Sequence, residues 1–163
     1  MVQNRLTRQD TELAKAILDV TPKLLRRLRA DIPLDASSSG SMDLYEVSEL
    51  RATPGQLSLL QVLAEQKRCT MQELAERLAV TPSTVTAMVK RLLASGYIER
   101  SHDDADWRTV WVCPTERGLQ AVVTYNAARL SSLQHRIEQL SDAERTSILN
   151  ALPALRHLVE VGQ

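Results

Sequence analysis

The stretch from Thr70 to Ser95 constrains this chain more than any other, because it demands two helices with almost no chain between them. Thr70 to Glu73 is a T-x-x-E capping box, in which the threonine hydroxyl and the glutamate carboxylate satisfy backbone donors that a helix start leaves open. Met71, Leu74, Ala75 and Leu78 then recur at helical spacing, and the pattern stops near Ala79 and Val80. Thr81 suits the cap of a second helix and Pro82 its first turn, where a missing N–H and a fixed φ cost nothing. Two helices joined by a turn this short must cross at a steep angle.

The second helix, about Pro82 to Ser95, separates into two faces when its residues are placed at 3.6 per turn. Val85, Met88, Val89 and Leu92 form the apolar one, while Ser83, Thr86, Ala87 and Lys90 point the other way. That outer face is small, polar and cationic, which fits a helix entering a major groove and offering hydroxyls and an ammonium to base edges. An amphipathic helix with a merely solvated face would look the same, and it is the hairpin next in the chain that argues for the groove. Gly96 is the natural helix stop, and Tyr97 to Arg100 and Thr109 to Cys113 read as two strands. Between them lies a polar tip, Ser101 to Arg108, with Arg100 and Arg108 at its base. A hairpin directly after a recognition helix is a wing.

In the order helix, recognition helix, G-Y-I-E-R, D-x-R, strand, T-x-x-G, the chain resembles the MarR family of bacterial and archaeal transcription regulators, and the resemblance covers most of its length. The matching run is TPSTVTAMVKRLLASGYIERSHDDADWRTVWVCPTERG, with Asp106 and Arg108 at the D-x-R positions and Thr115 to Gly118 opening the next helix. The resemblance implies a mainly α fold with a small β-hairpin wing: a winged helix-turn-helix with N- and C-terminal dimerisation helices. It implies that Asp106 supports the wing and that Arg108 reaches the minor groove or nearby phosphates. Two positions depart from the family pattern: Trp107 stands where Lys or Arg is common, removing a cation from the wing tip, and Pro114 stands where an apolar residue, commonly Leu, precedes Thr115. The candidate DNA-contacting residues are therefore Ser83, Thr84, Thr86, Ala87, Lys90 and Arg91 on the helix and Arg100, Asp106 and Arg108 on the hairpin.

Net charge is zero, with 20 basic and 20 acidic residues, which works against affinity for a polyanion. Placement matters more than the sum. Residues 1–30 carry 7 basic and 3 acidic side chains, whereas 31–52 carry 1 and 5. Residues 53–118 balance at 8 and 8, with Lys90, Arg91, Arg100 and Arg108 on or beside the expected DNA face and Asp103 and Asp104 opposing them at the wing tip. This distribution predicts modest non-specific affinity, with specificity resting on fit and two-fold avidity. No apolar run of about 18 residues or signal-peptide pattern interrupts this, so the chain reads as cytoplasmic with no membrane partner.

The expected organisation is a helical dimerisation region at 1–30 and 119–163, a linker with a short helix at 31–52, and a DNA-binding domain at 53–118. Thr53-Pro54-Gly55-Gln56 opens a helix that turns Leu57, Leu60, Leu63 and Ala64 inward. The linker contains Pro33 and a Ser-Ser-Ser-Gly-Ser run, and Met42 to Arg51 carries the apolar spacing of a short helix. In the first region Leu13, Ile17, Val20, Leu24 and Leu28 share a stripe, which Thr21-Pro22 should kink or restart. In the last, Leu119, Val123, Leu130, Leu133, Ile137 and Leu140 recur every three or four residues. Ser141 to Glu144 is a fresh capping box, Ile148, Leu149, Leu152, Leu155 and Val159 continue the stripe, and Pro153 should bend it. These faces exceed what a small winged helix needs, which predicts a homodimer on a pseudo-palindromic operator. The family resemblance adds a repressor's role and a small-molecule effector that releases DNA.

Other chemistries leave weaker traces. The 2 cysteines, Cys69 and Cys113, are far apart in sequence; a thiol-based redox switch would favour Cys69, where Lys67 and Arg68 could stabilise a thiolate. His102, Asp103, Asp104 and Asp106 could be read as metal ligands, yet with 3 histidines in all and no H-x₃-H pair they read better as a solvated wing, with no metal or other cofactor. No Gly-rich phosphate loop or nucleophile elbow is present, so no enzyme is expected. A winged helix can also dock protein, but Ser83, Thr86, Ala87 and Lys90 offer no large apolar anchor for that use.

Overall fold

The computed structural model describes residues 7–31, 54–102 and 109–161. Helices α1 (Arg8–Ala30), α2 (Pro54–Gln66), α3 (Met71–Leu78) and α4 (Pro82–Ala94) are followed by strands β1 (Ile98–His102) and β2 (Val110–Pro114), then α5 (Glu116–Glu138) and α6 (Asp142–Glu160). The described residues are mainly helical with one antiparallel hairpin, as the sequence predicts. The linker with its short helix, the Thr53 cap and the wing tip from Asp103 to Arg108 lie outside the described residues.

Capping chemistry sets the helix-turn-helix. At the start of α3 the Glu73 carboxylate accepts the Thr70 N–H at 2.7 Å, and the Thr70 hydroxyl accepts the Glu73 N–H at 3.3 Å. Those bonds from Thr70 hold the Glu73 carboxyl below its ordinary value. At the other end Ala79 adopts the left-handed conformation (φ 51°, ψ 43°). There its N–H donates to Glu76 and that of Val80 to Ala75, a Schellman closure. The chain turns at once into Thr81, whose hydroxyl oxygen accepts the Thr84 N–H at 3.3 Å and caps α4. The same closure ends α4, with Gly96 at φ +71° and Tyr97 N–H donating to Leu92.

Helix α2 is the hub, packing against α3, α4, α5 and β2. Leu59, Leu60 and Leu63 are fully enclosed with Leu74, Val85, Val89, Leu92 and Val112. Leu59 lies off the stripe expected from sequence; it is buried because α2 is surrounded rather than half-exposed. In the hairpin, Ile98 pairs with Pro114, Arg100 with Val112 and His102 with Val110. A third segment joins at Cys69, whose N–H and C=O bond Val112 at 3.0 and 2.8 Å. The wing is thereby tied to the α2–α3 turn.

The terminal helices differ from expectation in detail. Helix α1 begins two residues earlier than the stripe suggests, at a Thr7–Asp10 capping box, and runs unbroken through Pro22. The expected restart does not occur: proline removes one N–H, Thr21 stays helical, and the long capped segments on both sides sustain the rest. Helix α6 likewise continues through Pro153 from its Ser141–Glu144 capping box. Between α5 and α6, Arg145 donates to the carbonyls of Ile137, Glu138 and Leu140 at 2.9–3.1 Å, closing the end of α5 with a cation.

Leu28 buries the end of α1, and Asp31 clamps it to α5. The Asp31 carboxylate accepts two bonds from Arg136 at 2.8 Å and one from the Ser132 hydroxyl at 2.6 Å. Elsewhere the terminal stripes face outward: Leu13 and Val20 on α1, Leu119, Val123 and Leu130 on α5, and Ile148, Leu149 and Leu155 on α6 are exposed, and α6 buries no residue at all.

Candidate nucleic-acid interface

Helix α4 turns Val85, Val89 and Leu92 into the core and leaves Ser83, Thr84, Thr86, Ala87, Lys90 and Arg91 exposed, so the two faces divide as the sequence predicts. Met88 is only partly buried and packs under α2. A Cβ on Gly55 would come within 2.8 Å of its sulfur, so the first turn of α2 rests directly on α4. The exposed face carries a local hydrogen-bond network. Thr81 Oγ1 meets Ser83 Oγ at 3.0 Å and Thr84 Oγ1 at 2.8 Å, and the Thr86 hydroxyl donates to the Pro82 carbonyl at 2.9 Å.

The far end of α4 is held by residues that the sequence pattern does not single out. Arg117, in the first turn of α5, donates to the Ser95 carbonyl at 2.7 Å and lies over the Tyr97 ring, 4.7 Å from its centroid. Thr115 donates from its hydroxyl to the Gly96 carbonyl at 2.8 Å and caps α5 by accepting the Gly118 N–H. Gly118 is required by crowding: a Cβ there would sit 2.1 Å from the Tyr97 carbonyl oxygen. The T-x-x-G spacing thus encodes a close approach of α5 to the root of the hairpin. That spacing is the available signal, and it does not mark the arginine inside it.

On the hairpin, Arg100 is exposed in β1, two residues from the exposed His102. Asp106 and Arg108 lie outside the described residues, as do Trp107 and the carboxylates beside His102. Arg68 stacks on Trp111, 4.4 Å from the ring centroid, and so stiffens the base of the wing. Pro114 closes β2, and Thr115 N–H takes up the bond to the Tyr97 carbonyl.

The cysteines do not fit the reactive pattern. Cys69 is 2% exposed, and burial, followed by the nearby Glu73 carboxylate, pushes its thiol above the ordinary value. Arg68, expected to favour a thiolate, is stacked on Trp111. Burial raises the Cys113 thiol as well. Among the described residues no group of three or more histidine, cysteine, aspartate or glutamate side chains could hold a metal ion, and no helix is long and apolar enough to cross a membrane.

A family profile described as the MarR family matches residues 52–110, the span from the start of α2 to the second strand of the wing. The HTH-type transcriptional repressor MdtR of Bacillus subtilis is 38% identical over 120 residues, covering 74% of this chain and 77% of that one. An uncharacterized HTH-type transcriptional regulator of Mycobacterium bovis is 31% identical over 134 residues, covering 82% of this chain and 94% of the other. Among solved structures, a MarR family protein from Bacillus stearothermophilus superposes with a TM-score of 0.69 at 24% identity, covering 94% of this chain and 96% of that one.

Proposed function

Since this chain belongs to the MarR family of DNA-binding transcriptional regulators, we propose that it is a homodimeric repressor in which each α4 enters a major groove of a pseudo-palindromic operator. The observation that carries this reading is the face of α4: Ser83, Thr84, Thr86, Ala87, Lys90 and Arg91 are all exposed on a helix whose ends and underside are fixed by capping, Arg117 and Met88. Lys90, Arg91 and Arg100 supply phosphate or base contacts, and Arg108, supported by Asp106, extends them into the flanking minor groove. The repressor's sign rests on the B. subtilis relative that bears that name.

Residues 53–118 act as the DNA-binding unit and 1–30 with 119–163 as the dimerisation region, joined by 31–52. The exposed apolar faces of α1, α5 and α6 support this, since they remain exposed among the described residues of one chain. Two-fold symmetry sets the recognition helices about 34 Å apart, one turn of duplex. An effector in this reading lodges between the dimerisation helices and the DNA-binding lobe and changes that spacing. The regulator works in the cytoplasm and carries no catalytic group.

Fluorescence-anisotropy titration onto the duplex upstream of the protein's own gene and onto a scrambled duplex, over a series of salt concentrations, tests the reading. A preference of about a thousandfold for the native duplex is expected. Arg108→Ala should weaken both duplexes and lower the salt slope by about one. Equal weak binding to both duplexes counts against a self-operator, and equal slopes remove Arg108 from the phosphate contacts.

A further inference from the structure

We propose that the α4 face reads thymine through its C5-methyl group, with Thr84, Thr86 and Ala87 as the specificity-determining side chains. This rests on the reading that α4 occupies the major groove. A side chain can distinguish bases there by donating, by accepting or by apolar contact with the thymine methyl. The bidentate partners of adenine, Asn and Gln, and the acidic acceptors for cytosine are absent from the whole of α4. Its two cations, Lys90 and Arg91, lie in the second half of the helix, whereas helices of this class meet base edges through their N-terminal residues.

The hydroxyls of that N-terminal half have little to donate. The Thr86 proton goes to the Pro82 carbonyl. Thr81, Ser83 and Thr84 share two contacts at 3.0 and 2.8 Å, which consume two of their three protons whichever way the bonds run. What remains outward is one hydroxyl proton, acceptor lone pairs and the methyl groups of Thr84, Thr86 and Ala87 on an exposed surface. Those lone pairs repel the O4 of thymine and the N7 of purines and can accept one bond from adenine N6 or cytosine N4, which does not tell those two bases apart, whereas methyl contact is specific to thymine. The surface is also flat enough, with no large side chain before Lys90, for the backbone to come close to the base edges.

The test begins with duplexes enriched by the full-length protein from a random library at fixed salt. Each thymidine of the enriched half-site is then replaced by deoxyuridine, which deletes only the C5-methyl. At the thymines under α4 we expect about fourfold weaker binding per methyl removed, equal to ~0.8 kcal/mol at 1.4 kcal/mol per tenfold. The double variant Thr84→Val/Thr86→Val, which keeps methyls and removes hydroxyls, should retain that discrimination. Thr84→Ser/Thr86→Ser, which does the reverse, should lose most of it. Both positions are exposed, so both variants fold. An enriched half-site without thymine, indifference to deoxyuridine, or discrimination that survives in the Ser variant and vanishes in the Val variant overturns the inference alone. A library from which nothing enriches overturns the groove reading on which it rests.

Discussion

Single residues at the root of the wing carry more of this fold than their size suggests. Gly118 admits the Tyr97 carbonyl at a distance no Cβ could tolerate, and Thr115 and Arg117 on the same turn bond the chain just after α4. Gly118→Ala should therefore push α5 off the hairpin and cost about 3 kcal/mol, in the upper range for overpacking, measured by urea unfolding. Unchanged stability would show that α5 can slide aside freely. Arg117 contributes differently, since its guanidinium is half of a stack and half of a cap, which a lysine could not reproduce.

Helices with chemical start signals are legible in the sequence, and those whose limits depend on surroundings are not. The capping boxes at Thr70 and Ser141 and the Thr81-Pro82 start lie where side-chain chemistry places them. The Thr7 box escapes notice because no apolar stripe reaches it. Pro22 reads as a restart because local propensity outweighs context on paper; in the folded chain one lost bond is a small part of a 23-residue helix. The α4 face is legible residue by residue, since amphipathic spacing alone separates Val85, Val89 and Leu92 from Ser83, Thr86 and Lys90. The Cys69 bridge to Val112 is invisible in sequence, because it depends on a pairing 43 residues apart in which the segment around Cys69 carries no strand pattern of its own.

The Asp31 clamp gives the α1–α5 contact a testable pH dependence. Bonds from Ser132 and then Arg136 hold the Asp31 carboxyl below its ordinary value. A group with a lowered folded value stabilises above its unfolded value, and that stabilisation is lost as pH falls through the folded one. Protection of the amides at the end of α1, Arg26–Ala30, taken relative to the intrinsic exchange rate at each pH, should thus fall on acidification below the ordinary carboxylate range. Asp31→Asn should show the faster exchange at neutral pH, while α2 to α4 stay protected. Equal protection in the two proteins at pH 7 would mean that Leu28 alone docks α1.

At the scale of the whole molecule, one chain leaves unfinished business on its surface. Leu149 is 65% exposed and Leu152 38%, on a helix with no buried residue. Leu149→Glu/Leu152→Glu should leave the fold of a single chain intact, seen as unchanged far-ultraviolet circular dichroism, and yield monomers in sedimentation velocity. Operator affinity should fall about a hundredfold or more, because the second half-site is no longer delivered by the first. A variant that sediments as a dimer removes α6 from the interface.

The strand-like pairing of Cys69 with Val112 has a consequence for how such a molecule lets go of DNA. It roots the wing in the turn between α2 and α3, while Arg117 and Thr115 fasten the same root to the end of α4. The wing's root and the recognition helix are two prongs of one fork. A rotation of the lobe lifts both together, by amounts fixed by their distance from the pivot. If an effector releases DNA as proposed, release then has few rungs, and the regulator answers that signal more like a catch than like a dial.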